Sequence, residues 1–164
     1  MKMTKAFTMI ELIYVIVVLG ILGTIALPKF AGVRNQADIG MGRSQVATIR
    51  SAIVNERQTR LILGNVDFLP ELSSGAVANA VDQNLFTGSA APVRILLQTS
   101  IVSGNNAGEW MKTASNPGNA VGNFETYIFN VDNDQVTFAY SPVAQNLFGI
   151  AFNAGEFNCD VNGV

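Results

Sequence analysis

The alternation of apolar and polar positions changes its rhythm along the chain. Residues 7–27, FTMIELIYVIVVLGILGTIAL, have no rhythm, being apolar almost throughout. These 21 residues, at a helical rise of about 1.5 Å each, span roughly 31 Å, the thickness of a bilayer's hydrocarbon core. In residues 43–63, RSQVATIRSAIVNERQTRLIL, the apolar positions Val46, Ile49 and Ile53 recur at three and four. That is the stripe of a helix packed on a sheet, and Gly64-Asn65 supplies its stop. Further on the period falls to two. Val136, Phe138 and Tyr140 alternate with Thr137 and Ala139, and 124–131 (FETYIFNV) is rich in aromatic and β-branched residues. Asp132-Asn133-Asp134 reads as a hairpin turn, and 147–152 as another strand.

The pattern predicts an α+β fold: a long N-terminal helix, half membrane-type and half amphipathic, packed on a small C-terminal antiparallel sheet. Residues 66–120 carry less signal. Pro70-Glu71-Leu72 and the alanine-rich 75–85 suggest a short helix, and 92–102 (PVRILLQTSIV) reads as a strand or a buried helix. Asn105-Asn106-Ala107-Gly108 and Ser115-Asn116-Pro117-Gly118 are loop chemistry, with Trp110 a core anchor between them. Pro28 removes a backbone donor and is expected to bend or end the first helix. Gly32, Gly40 and Gly42 should soften the helical stretch beyond it.

Charge is unevenly spread within the net −2. Lys2 and Lys5 lead the apolar run; residues 29–63 hold six basic residues against Asp38 and Glu56; from 64 onward only Arg94 and Lys112 oppose nine acids. A basic middle and an acidic C-terminal part attract each other, within one chain or between copies. Arg43, Arg50 and Arg57 are spaced by seven and line one helix face, with Arg60 a turn beyond. That line reads as a solvated face, an inter-subunit docking strip or a nucleic-acid contact. Nucleic acid is not expected, because the line lacks interleaved aromatics.

The apolar run is too long for a cleavable secretory signal and ends in Ile25-Ala26-Leu27-Pro28-Lys29 without a small-x-small site. Lys2 and Lys5 hold its start in the cytoplasm, which puts the bulk of the chain across the membrane. A plain anchor accounts for length and topology. It leaves Glu11 without a reason, since a carboxylate in a membrane helix is costly and usually partnered.

The residues around Glu11 carry a resemblance. Lys5-Ala6 followed by Phe7-Thr8-Met9-Ile10-Glu11-Leu12-Ile13, with Gly20 and Ala26-Leu27-Pro28 at matching spacing, resembles the N-terminus of type IV pilins and of the pseudopilins of type II secretion. The likeness covers about residues 1–34. It implies a leader (1–6) removed by a membrane prepilin peptidase between Ala6 and Phe7, and N-methylation of Phe7. It implies a transmembrane and assembly helix (7–30) whose Glu11 pairs with the amino terminus of a neighbouring subunit, an amphipathic helix (31–64) and a pilin-like globular head (65–164). The family nearly always has Gly before the cut; Ala6 adds a methyl there, so slower cleavage is expected.

The expected function is that of a structural subunit, a pseudopilin of a type II secretion filament in the inner membrane with its head in the periplasm. Its partners would be further pilin-like subunits, the peptidase, an assembly ATPase and an inner-membrane platform. A pilin of a surface or DNA-uptake pilus is the alternative within the family, and a membrane-tethered binding module the alternative outside it. No enzyme chemistry is expected: the chain has no histidine and one cysteine, Cys159, and no nucleophile–base pair or phosphate loop. No cofactor is expected either. Asp132 with Asp134, and Asp160 with Asn162, offer oxygens to calcium but not at EF-hand spacing. Some pseudopilins bind calcium in their C-terminal loop, and many pilins close that loop with two cysteines, which this chain lacks. Cys159 is therefore expected to be buried rather than a link between chains.

Overall fold

In a computed structural model, the structure describes residues 7–88, 95–115, 124–132, 134–147 and 150–159. The chain divides into two compact units, Met1–Ala37 and Asp38–Val164. One helix, α1 (Met9–Ile62), contributes to both.

In the first unit α1 is apolar on every side up to Leu27 and turns polar beyond Pro28. From Met9 to Leu27 its large apolar side chains are exposed, all but Val18. The stretch is long and apolar enough to cross a membrane. Pro28 does not end the helix; it lies inside α1. A mid-helix proline forfeits one hydrogen bond and crowds the preceding turn, a cost of about 3 kcal/mol, and here the helix continues for more than thirty residues beyond it.

In the second unit the same helix becomes one-sided. Ile49 and Ile53 are buried and Val46 is partly buried, as the three-four spacing predicts. α1 stops where Gly64 takes a left-handed φ of 82°. Asn65 N–H then donates to Arg60 O at 2.9 Å and Gly64 N–H to Leu61 O at 3.0 Å, the paired bonds of a Schellman cap.

Behind the stripe stands a four-stranded antiparallel sheet in the order β3-β4-β5-β8, made of β3 (Trp110–Ser115), β4 (Glu125–Val131), β5 (Asp134–Ser141) and β8 (Glu156–Cys159). Two small pairs flank it: β1 (Asn84–Leu85) with β2 (Ile101–Val102), and β6 (Gln145–Leu147) with β7 (Ile150–Phe152). The expected strand over 147–152 is thus a short hairpin, with 148–149 outside the described residues. Trp110 is fully buried, but it opens β3 instead of sitting between loops. Its ring meets Phe129 and Phe138 at 5.0 Å, Phe86 at 5.7 Å and Phe157 at 6.2 Å, giving the core an aromatic centre.

No helix forms among the described residues of 66–88. Gly75, Asn79, Asp82 and Phe86 all have positive φ, which a right-handed helix cannot hold. From residue 95 the chain bends and then forms β2; 92–94 lie outside the described residues.

Candidate functional site

Three constellations bear on function. The first is the start of α1. Thr8 is its N-cap: Glu11 N–H donates to Thr8 Oγ1 at 3.3 Å, while Thr8 N–H and Thr8 Oγ1–H both donate to Glu11 Oε2 at 3.1 Å. This is a capping box, in which residue N3 satisfies the donors of the cap. Glu11 therefore has a partner within its own chain, and the positive end of the helix dipole favours its charge. Phe7, one residue earlier, is exposed; Ala6 lies outside the described residues.

The second is the arginine line. Arg50 Nε donates to Phe157 O at 2.8 Å and its Nη2 to Asn158 Oδ1 at 3.3 Å, so it covers the outer edge of β8. Arg57 donates to Val66 O and places its guanidinium 4.1 Å from the centre of the Phe68 ring. Arg60 pairs with Glu56 one turn back at 3.1 Å. These three hold the head's own carbonyls, ring and carboxylate, and Arg50 also helps hold the Glu156 carboxyl below its ordinary range, after the hydrogen bonds from Asn153. Arg43 alone of the four stands exposed with no such contact among the described residues.

The third constellation went unnoticed in the sequence. Lys112 and Glu125 are both buried, at 3% and 2% exposure, and Lys112 Nζ lies 2.6 Å from Glu125 Oε1. Lys112 Nζ also donates to Ser73 O at 2.9 Å. Glu125 Oε2 accepts from Leu72 N–H at 2.5 Å and from Tyr127 O–H at 3.0 Å. Tyr127 Oη lies 2.7 Å from Ser73 Oγ, whose hydroxyl can donate to it while Ser73 Oγ accepts from Phe86 N–H at 2.8 Å. Burial, and then the Glu125 carboxylate, push the Tyr127 phenol well above its ordinary range. Tyr140, whose O–H donates to Leu69 O at 2.6 Å, is raised for the same two reasons, with Arg60 and Arg57 opposing.

Register explains the meeting. Lys112 pairs with Tyr127 across β3 and β4, and Glu125 stands two residues from Tyr127, on the same face. The network ties residues 72–73, which belong to no named strand, to the sheet. A signal was available: alternation puts Glu125 on the face of Tyr127 and Phe129, and a charge on the apolar face of a strand needs a partner.

Among the described residues no group of three or more His, Cys, Asp or Glu is placed to hold a metal ion. Asp132 takes a left-handed φ of 52° beside the hairpin and Asp134 opens β5; Asp160 and Asn162 lie outside the described residues. Cys159 ends β8, the edge strand of the sheet, and is exposed, not buried. An open groove of about 820 Å³ runs between α1 (Ser44, Ala47, Ser51, Asn55) and Leu96 and Gln98. Among the described residues its one lining charge, Glu56, is already paired with Arg60. No protein-family model, characterised protein or solved structure matches the chain.

Proposed function

We propose that the chain is a structural subunit of a type IV pilin-like filament, a pseudopilin of a secretion machine, stored in the membrane and assembled through the first half of α1. One observation carries this reading: the apolar span and the helix that bears the head's core stripe are one element, Met9–Ile62. An anchor needs only a span and a tether. A helix that runs without a break from membrane span to head scaffold suits a subunit that is pulled out of lipid and stacked on copies of itself. In the stack, the exposed faces of residues 9–27 would bury one another instead of facing acyl chains.

Glu11 gives weaker support than its sequence context suggests, because the Thr8 capping box accounts for it without a second chain. Its substitution is therefore the test. Glu11→Val in the full chain should insert in the membrane as well as the parent or better. A filament subunit carrying it should stay in the membrane and drop out of sheared filaments. Absence of the parent chain itself from sheared filaments would overturn the reading and leave the tethered binding module, whereas unchanged incorporation of the variant would show that Glu11 serves only its own Thr8 cap. The first six residues offer a second check: Ala6→Gly should speed removal of the leader, read by mass spectrometry of the membrane-extracted protein. An N-terminus that remains at Met1 in both chains excludes this processing.

A further inference from the structure

The buried Lys112–Glu125 pair is more than a salt bridge by its surroundings. Two ions taken out of water lose several kcal/mol of solvation each, which their mutual attraction repays only with good geometry. Here one carboxylate oxygen faces the lysine and the other faces two donors. Oε1 is 2.6 Å from Lys112 Nζ; Oε2 is held by Leu72 N–H at 2.5 Å and Tyr127 O–H at 3.0 Å. That division of labour is an oxyanion hole built around a carboxylate, with the lysine nitrogen against its other oxygen. The cluster is closed to solvent, since Ser73, Tyr127, Lys112 and Glu125 are all buried. The only reaction it can host is between its own members.

We propose that Lys112 and Glu125 condense to an amide cross-link between β3 and β4. The proton inventory closes within the cluster. The step requires one proton to move from the ammonium to Oε1 across the 2.6 Å contact, leaving an amine beside a carboxylic acid. The Nζ lone pair adds to Cδ, and the displaced C=O electron pair settles on Oε2. There Leu72 N–H and Tyr127 O–H stabilise it. Oε1 takes a second proton from the attacking nitrogen and departs as water. The single N–H that remains has its acceptor in place, Ser73 O at 2.9 Å. Tyr127 can spend its one proton on Oε2 because Ser73 Oγ–H is free to turn towards the phenol oxygen, 2.7 Å away. Holding reactants at this separation is worth an effective concentration of about 10⁵ M or more, and condensation removes both buried charges. The link would close the loop between β3 and β4 covalently in a chain whose single cysteine allows no internal disulfide.

The sequence makes the test decisive. Arg94 and Lys112 are the last two tryptic sites. A free Lys112 therefore gives peptides 95–112 and 113–164, whereas an amidated lysine is not cut. Full-length protein extracted in detergent, unfolded and digested should yield a single piece, 95–164, lighter than its sequence by one water molecule. Lys112→Arg should restore cleavage and the full mass. Tyr127→Phe, lacking one oxyanion donor, should acquire the link about a hundredfold more slowly in a time course after synthesis. Clean cutting after Lys112 in the parent chain, with both peptides at unmodified mass, overturns the proposal and leaves an ion pair. The outcome does not depend on whether the protein forms filaments.

Discussion

From Met9 to Leu27, α1 exposes apolar side chains all round, whereas from Val46 to Ile53 it buries a narrow stripe against a sheet. The two halves share backbone geometry and differ in what surrounds them. A helix apolar on every side has no preferred neighbour, so lipid or other such helices serve it equally. A helix with one stripe specifies one partner, and here the partner is in its own chain. The first half can therefore exchange its surroundings, as an assembling subunit must, while the second cannot do so without unfolding the head. Polar groups obey the same division. Glu11 is satisfied by exposed neighbours three residues away, while Lys112 and Glu125 are satisfied only by the completed tertiary structure.

The comparison breaks first at Lys112. Lys112→Met strands the Glu125 carboxylate among aromatic rings and should destabilise the head by about 3–5 kcal/mol, leaving membrane insertion untouched. Trp110 is the only tryptophan and lies in the head, so its fluorescence during denaturation reads this unit alone. The double change Lys112→Met with Glu125→Leu removes both charges, and if the two are an ion pair most of the loss should return. If they are joined by the proposed amide, the double variant also loses the loop closure and stays well below the parent. A head indifferent to Lys112→Met would mean that its buried charges are not what separates it from the apolar half.

A second test compares glycines within one helix. A Cβ built on Gly42 would lie 2.4 Å from Phe129 Cε1, whereas one built on Gly40 meets nothing within 4 Å. Gly42→Ala should therefore push the Phe129 ring out of place and cost about 1–3 kcal/mol. Gly40→Ala should instead stabilise by up to about 1 kcal/mol through helix propensity. Equal effects at the two sites would show that this part of α1 does not press on the sheet. Gly42 thus owes its place to packing, although beside Gly32 and Gly40 the sequence suggests only a soft helix.

That contrast marks how far the sequence could be read. The span, the Val46–Ile49–Ile53 stripe, the Gly64 stop, and the strands holding Tyr127 and Phe138 were legible because each rests on a period or a cap within a few residues. The crossover at 66–88 was not: its path is set by left-handed residues at Asn79, Asp82 and Phe86, and for Phe86 nothing local announces one. The arginine spacing was legible, but not its use, because Arg50 meets Phe157 and Asn158 from more than a hundred residues away. Lys112 and Glu125 were counted as charges and missed as a pair. Alternation marks Glu125 as a charge on an apolar face, but its partner depends on the β3–β4 register that sets Lys112 opposite Tyr127, which no periodicity reveals.

The smallest test at neutral pH grows when the solution is made alkaline. Tyr140→Phe removes the bond from Tyr140 O–H to Leu69 O and should cost the head about 1 kcal/mol. The fold also holds that phenol neutral, burial raising it first and the Glu125 carboxylate second. An unfolded tyrosine ionises near pH 10. Below that pH the phenol's contribution is complete; as pH rises towards the higher folded value, the unfolded chain sheds a proton that the folded one keeps, and stability drains away. Parent stability should therefore fall steeply above about pH 10, and Tyr140→Phe should fall less steeply, retaining the share due to Tyr127. Parallel alkaline curves for parent and variant would show that Tyr140 is no more shielded from water than the residues of the apolar half.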